Sequence, residues 1–457
     1  MASCSRALQR LLLRPMFGLI LVFVFFTTVL HYFIESNEDL SITTEEPTIM
    51  TEEPWTNGDM DNIPTFDSNT VCDGECDDND EKFITYLPHS QFNNQRIELE
   101  NAILLAYYTN RTLIVPPLVL GHISAWAPFD KLYGYLSLKL HKDKCSDRGL
   151  KPKPTGMRRT PSCDSWTMLN WYEVYNLTAI QKEERIRMMS APSFKVEWIK
   201  KALQIKDDDI KYFKDDTLYN MMVYDDPQST TVLGKYQQRT DISDFKSLPQ
   251  KLLYFNSLFG GSRVLTELEK HQQLRRRILR HFIFIYPNVM STANKIVAKL
   301  GGERSYIGIH VRVSDGPFKR GAQQIVESIM RKLSSLNSTS DETDLLQSRT
   351  CQHDSGPIND KMIYMATDIV NSRQTKEYGL LYENFPCIMT LSDFDPLLKD
   401  LTSVVNKWDN MNMYKFLLPF VDLIVSAKGG NFIGTSHSTF TRYARLLNKM
   451  FLLDEIK

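Results

Sequence analysis

Net charge is nearly absent from this 457-residue chain: 54 Lys and Arg stand against 55 Asp and Glu, a formal charge of −1. No global field therefore points to nucleic acid or an anionic surface. The balance is uneven along the chain. Residues 35–81 contain no Lys or Arg, only Asp and Glu among Thr, Pro, Asn and Ser. Such a stretch cannot bury enough apolar surface to order itself, so residues 35–82 read as a disordered, extended stem. They lack the ligand spacing of an EF-hand, which removes a calcium loop. With the acidity concentrated there, the rest of the chain is mildly basic, which suits a phosphate-bearing ligand. Internal repeats are absent.

Pro15 to Ile34 contains no Asp, Glu, Lys or Arg. A run of about 20 residues is long enough to cross a hydrocarbon core of about 30 Å. It exceeds the about 7–15 residues of a signal-peptide core, and no small-x-small cleavage site closes it. Arg6, Arg10 and Arg14 precede it, and Glu35, Glu38 and Asp39 follow. The positive-inside rule then makes residues 1–14 a cytoplasmic tail and 15–34 a transmembrane anchor, with everything after it in the lumen. Three sequons agree: Asn110-Arg111-Thr112, Asn176-Leu177-Thr178 and Asn337-Ser338-Thr339.

Cysteines are few, 7 in all. Cys4 falls in the cytoplasmic tail, and the other six face an oxidising compartment that favours pairing. Six cysteines allow about 15 connectivities; proximity suggests Cys145–Cys163, Cys351–Cys387 and Cys72–Cys76. No His or second Cys pair lies close enough to Cys72 and Cys76 to complete a zinc site, so no metal ligand is assigned.

A single core rarely grows beyond about 250–300 residues, which predicts two lobes, 83–300 and 301–457. From Lys82 onward strands alternate with helices, the texture of an α/β fold. The first lobe reads as a strand at 83–87, a helix at 94–108, a strand at 112–115 stopped by Pro116-Pro117, and a strand at 251–255. An irregular aromatic stretch follows the second of these over 121–175, and helices follow the last over 264–282 and 287–300. The second lobe reads as strands at 306–311, 362–366 and 431–434. Its helices fall at 322–336, 372–380, 413–426 and 438–450. Asn337 opens a polar loop running to about residue 350. Ligands bind parallel sheets beyond the carboxyl ends of their strands.

Four clusters fall at such ends. The first is His89-Ser90-Gln91-Phe92-Asn93-Asn94-Gln95-Arg96, whose amides either cap a helix or present donors to a sugar. The second is His310-Val311-Arg312-Val313-Ser314-Asp315. His310 and Arg312 share one face of the strand. The planar fork of Arg312 suits phosphate, and an Arg312–Asp315 ion pair is the plainer alternative. The third is Ala366-Thr367-Asp368, where Asp368 either accepts from a base or ribose or caps a helix near Ser372. The fourth is Gly434-Thr435-Ser436-His437-Ser438-Thr439-Phe440-Thr441, hydroxyl-rich and at a helix start, where free N–H groups bind phosphate. Ser438 is also a plain N-cap candidate.

At these clusters the chain resembles the GDP-fucose protein O-fucosyltransferase superfamily and, more distantly, the α1,6-fucosyltransferases. Phe92-Asn93-Asn94-Gln95 with the stretch from Asn110 to Pro117 resembles the family's first motif. His310-Val311-Arg312 followed by Asp315 resembles its H-x-R-x-x-D motif, and Ala366-Thr367-Asp368 and Ser438-Thr439-Phe440-Thr441 its last two. The resemblance implies a GT-B fold of two Rossmann-like lobes, the second holding the donor and the first facing the acceptor. It implies inverting, metal-independent transfer of L-fucose from GDP-fucose to a protein hydroxyl or glycan, with no resident cofactor. Arg312 would meet the β-phosphate and stabilise departing GDP, with His310 beside it as the second catalytic residue. Asn93, Asn94 and Gln95 would line the sugar side. Asp315 and Asp368 would serve the donor site, Asp368 at the guanine or ribose. Ser438, Thr439 and Phe440 would cradle the diphosphate. Anchor and stem then place the protein in the Golgi membrane as a single-pass type II protein, with the endoplasmic reticulum as the alternative.

The chain departs from the family at three points. Val313 stands where some relatives have a second Arg, and Asn93 replaces the motif glycine. No motif Glu serves as base: Glu98 and Glu100, on the helix, are the only carboxylates nearby and neither is assigned, which leaves His89, the acceptor side or no base at all. Two other functions fit the same residues: a GT-B transferase with a different nucleotide-sugar donor, and an inactive lumenal binding protein.

Overall fold

The computed structural model describes residues 81–121, 125–139, 165–337 and 362–453. The tail, the anchor and all but the last residues of the stem lie outside them, as do Cys72, Cys76, Cys145, Cys163, Cys351 and the loop after Asn337. Among the described residues, no helix is long and apolar enough to cross a membrane.

Among the described residues there are thirteen strands: β1 Phe83–Tyr86, β2 Thr112–Val115, β3 Leu118–Gly121, β4 Trp166–Leu169, β5 Met188–Ser190, β6 Ile210–Phe213, β7 Met221–Tyr224, β8 Gln238–Asp241, β9 Leu252–Phe255, β10 Ile307–Val311, β11 Ile363–Thr367, β12 Ile388–Met389 and β13 Asn431–Gly434. The first sheet runs β5-β2-β1-β9-β6 and is parallel throughout. The second runs β12-β11-β10-β13, again all parallel. Strands covered on both faces read as continuous apolar runs, and Leu252-Leu253-Tyr254-Phe255 is buried at every position. The fold is therefore mixed α/β with two larger parallel sheets, the class expected from the alternating pattern. Their strands come from 83–255 and from 307–434.

Seven helices position the site: α1 Phe92–Thr109, α2 Glu269–Arg280, α3 Pro287–Lys299, α4 Gly316–Arg320, α5 Ala322–Asn337, α6 Tyr414–Ala427 and α7 Thr439–Leu452. Burial of α1 extends all round, with Asn94 and Tyr107 its only residues outside the buried class. That explains its weak apolar periodicity. Helix α3 packs against α6, and α1 touches α7. Phe92 is the pivot between them, 4.6 Å from Phe420, 5.6 Å from Trp171 and 6.4 Å from Tyr443 by ring centroids.

Several expectations need correction. Residues 121–175 are not simply irregular: β3 pairs antiparallel with β4, and Phe129–Lys139 is helical. Pro116-Pro117 does end β2, but β3 starts at the next residue. The expected helix over 372–380 is two 3₁₀ turns, Ser372–Gln374 and Lys376–Tyr378, and the α-helix begins only at Gly379. The helix expected from residue 264 starts at Glu269, because Asp225 takes the backbone N–H groups of Glu267 and Leu268 at 2.9 and 3.1 Å.

Candidate functional site

The carboxyl end of β10 carries His310 and Arg312. Gly434 on the neighbouring β13 makes room for α7: a Cβ there would sit 2.6 Å from Thr441 Oγ1. Thr441 thus reaches His310, whose Nδ1 lies 2.7 Å from its Oγ1. The imidazole also stacks on Phe440, with centroids 4.3 Å apart and planes 22° apart. Burial first, and Arg312 second, lower the pKa of His310 to about 3. It is therefore neutral at physiological pH, able to hydrogen-bond without adding charge.

Thr435 fastens the end of β10. Its N–H donates to His310 O at 3.0 Å, and its Oγ1 accepts from Arg312 N at 3.0 Å. The Arg312 side chain is 30 % exposed. It donates from Nε and an η-nitrogen to Asp315 Oδ1 and Oδ2 at 3.1 and 2.7 Å, and lies over the Phe318 ring at 4.6 Å. The ion pair weighed from the sequence is thus present. Bidentate geometry holds the fork flat at the mouth of the sheet, not inside the core. Val313, in place of a second Arg, is buried in the core of the second sheet.

Asp368 stands at the end of β11. It does not cap the turn at Ser372, and both its oxygens face the Arg312 loop. Val313 N and Ser314 N donate to them at 3.1 Å each, and Ser314 Oγ at 2.5 Å. Its position makes it a clamp on the loop that carries Arg312.

The first turn of α7 is open. Ser438 occupies the N-cap position but makes no capping hydrogen bond, and its buried Oγ has no partner. The first N–H groups of a helix have no partner within it, so they and the positive dipole end face outward here. Ser436 and His437 next to them are exposed, and His437 adopts φ 62°. A cavity of about 770 Å³ opens beside this loop, lined by Pro317, Phe318, Gly321, Ser328, Thr435 and His437.

On the side of the first sheet, α1 presents its own N-terminus. Asn94 is half-buried, and Asn93 is buried with an unpartnered Oδ1. Gln95 is committed elsewhere: its amide bonds Val119 O at 2.8 Å, Ser90 O at 3.0 Å and Val119 N at 3.0 Å. It holds β3 to the loop before α1 and does not line a site. The two helix starts meet where the Arg96 guanidinium lies 4.6 Å from the Tyr443 ring centroid. Arg96 also bonds Glu100 at 3.0 Å, and Arg275 Nε bonds the same carboxylate at 2.7 Å. Burial alone would raise the pKa of Glu100, but Arg275 and Arg96 outweigh it and hold the group charged. Glu98, two residues earlier, goes the opposite way: burial raises its pKa well above the usual carboxylate range.

The structure thus brings together Arg312, His310, Asp315, Asp368, Ser438, Thr439 and Phe440. It sets Asn93 and Asn94 on the facing helix start, and it removes Gln95. Sequence reasoning missed the placement of Thr435 and Phe318. Thr435 was visible as a member of the hydroxyl-rich run; Phe318 gave no periodic signal. Among the described residues no three His, Cys, Asp or Glu side chains gather as a metal site.

The chain belongs to the GDP-fucose protein O-fucosyltransferase family, whose profile matches residues 83–446. All four clusters fall within that span. A stretch of 45 residues is 51% identical to O-fucosyltransferase 30 of Arabidopsis thaliana, covering 10% of this chain and 9% of that protein. Among solved structures, POFUT1 in complex with GDP is 10% identical over 81% of this chain and 96% of its own, with a TM-score of 0.40. Fucosyltransferase NodZ from Bradyrhizobium is 13% identical over 80% of this chain and 93% of its own, with a TM-score of 0.37.

Proposed function

We propose that the protein transfers L-fucose from GDP-fucose, with inversion and without a metal, to a protein hydroxyl or glycan in the secretory pathway. The observation that carries this reading is the open first turn of α7 set beside Arg312: an uncapped helix start with the unpartnered Ser438 Oγ. Such a tip accepts a diphosphate through its free N–H groups. As the glycosidic bond breaks, negative charge grows on the β-phosphate oxygen, and Arg312 offers a cation held in place before the reaction. His310, kept neutral, orients Thr441 and packs on Phe440. The acceptor approaches from the α1 side, where Asn94 is half-buried at the helix start.

The GT-B arrangement fits the two parallel sheets and supports this reading. Golgi anchoring rests on the uncharged Pro15–Ile34 run and the acidic stem after it. Cys387, buried and disulfide-bonded, agrees with an oxidising compartment. The test is turnover of GDP-fucose by the purified protein and by its Arg312→Ala variant, with thermal shifts in GDP and UDP. Stabilisation by GDP and a loss of turnover in the variant support the reading. Stabilisation by UDP alone, or equal turnover in both, overturns it.

A further inference from the structure

Inverting transfer leaves one proton to be placed. The acceptor oxygen bonds to C1 of fucose while the C1–O bond to the β-phosphate breaks and its electron pair leaves with GDP. The acceptor's proton must go elsewhere, and no carboxylate stands in the first motif to take it. The structure holds a different arrangement at the carboxyl ends of β1 and β9, where a ligand of the first sheet would lie.

His89 follows β1 and is 1% exposed. Its Nδ1 lies 2.8 Å from Ser90 Oγ, and its Nε2 lies 2.8 Å from Ser257 Oγ. Ser257 Oγ in turn donates to Glu98 Oε1 at 2.9 Å, and the His89 backbone N–H donates to Glu98 Oε2 at 3.2 Å. His89, Ser257 and Glu98 are buried, whereas Ser90 is half-buried and holds φ 61°. That φ is one an L-residue rarely adopts without a reason. The polarity of the chain is consistent throughout. Ser257 donates to Glu98 and so accepts from His89, whose Nε2 also lies 3.1 Å from Glu98 Oε1 itself; both contacts put the imidazole proton on Nε2. Nδ1 is then free to accept from Ser90. Every donor points inward from the half-buried serine to the buried carboxylate.

We infer that Ser90, His89, Ser257 and Glu98 form a proton relay that takes up the acceptor's hydroxyl proton during transfer; the inference rests on the fucosyltransferase reading above. The acceptor proton passes to Ser90 Oγ as the Ser90 proton moves to His89 Nδ1. The Nε2 proton moves to Ser257 Oγ, and the Ser257 proton to Glu98 Oε1. One proton has moved and no atom has changed oxidation state; once the product has left, the reverse passage hands the proton from Ser90 to water and resets the chain. Ser90 meets the acceptor; His89, Ser257 and Glu98 are positioning residues that act through it. Arg263 and Tyr86 also face Glu98. Arg263 pairs with Asp215 and donates to Ser257 O at 2.7 Å, which fixes the Ser257 backbone.

A nucleophile without a proton needs no relay, so the test compares two attackers on GDP-fucose: water, giving hydrolysis, and azide, giving fucosyl azide. Ser90→Ala and Glu98→Gln are expected to lower hydrolysis about 100-fold, the usual reach of general base catalysis. The loss with azide is expected to be at least about tenfold smaller. Wild-type hydrolysis should fall as pH drops through the titration of Glu98, and Glu98→Gln should lose that limb. A GDP thermal shift equal to wild type shows that each variant is folded. Equal losses with water and azide, or unchanged hydrolysis in both variants, overturn the relay. A wild-type protein inert toward GDP-fucose with both attackers overturns the parent reading instead.

Discussion

The His310 imidazole is held between two consecutive residues of α7: its face lies on the Phe440 ring at 4.3 Å, and its Nδ1 meets Thr441 Oγ1 at 2.7 Å. Burial keeps this ring unprotonated, with a pKa lowered to about 3. His89, which follows β1 of the first sheet, is lowered to about 3 in the same way. For a histidine the ordinary value is 6.5. Below that value the unfolded chain takes up protons that the folded chain refuses. The stability from these two groups is therefore present above about pH 6.5 and is lost as pH falls toward about 3. Each contributes a slope of up to about 1.4 kcal/mol per pH unit. Urea unfolding at several pH values should show the fall, and His310→Asn should reduce the slope by one proton. An unchanged slope would mean His310 is not buried neutral.

Arg312→Lys keeps the charge but loses the planar fork that Asp315 and a phosphate can both read. Removing a fixed electrostatic contact of this kind costs about 100–1,000-fold in kcat. We expect Arg312→Ala to show that loss in GDP-fucose turnover and Arg312→Lys to recover only a small part of it. Full recovery by lysine would show that charge alone matters.

Asp368→Asn tests the clamp. The asparagine amide cannot accept from both Val313 N and Ser314 N, so one loop N–H is left without its acceptor. A lost hydrogen bond to a charged group is worth about 1.5–3 kcal/mol; Asp368 is exposed, so the lower end applies. The expected result is a lower kcat with a nearly unchanged GDP thermal shift. If the variant instead loses GDP stabilisation and keeps kcat, Asp368 contacts the nucleotide directly.

The strands that flank the site were legible because parallel strands covered on both faces must be apolar along their whole length. Phe83–Tyr86, Leu252–Phe255 and Ile307–Val311 lie within a residue or two of where the pattern put them. What escaped was tertiary. Gln238–Asp241 forms a strand with no apolar face at all. The helix start at Glu269 depends on Asp225, more than forty residues earlier in the chain. Asp368 is 55 residues from Val313, and Ser257 is 159 from Glu98. No local spacing encodes such pairings. Gln95 was misplaced for the same reason: an amide at a helix start looks alike whether it meets a sugar or the backbone of a strand 24 residues away.

Ser438→Ala separates a cap from a binding site. A serine that caps a helix contributes about 0.5–2 kcal/mol, lost on replacement by alanine. Here the hydroxyl caps nothing and is buried without a partner, and leaving such a group unpaired is itself costly. Removing it should leave the melting temperature unchanged or slightly raised. If the same hydroxyl waits for a phosphate oxygen, its removal should weaken GDP binding by about tenfold, the equivalent of a bond worth about 1.4 kcal/mol. Calorimetric titration of GDP into both proteins, beside their melting curves, gives the two quantities independently. A drop in stability with unchanged GDP affinity would return Ser438 to the role of an ordinary cap.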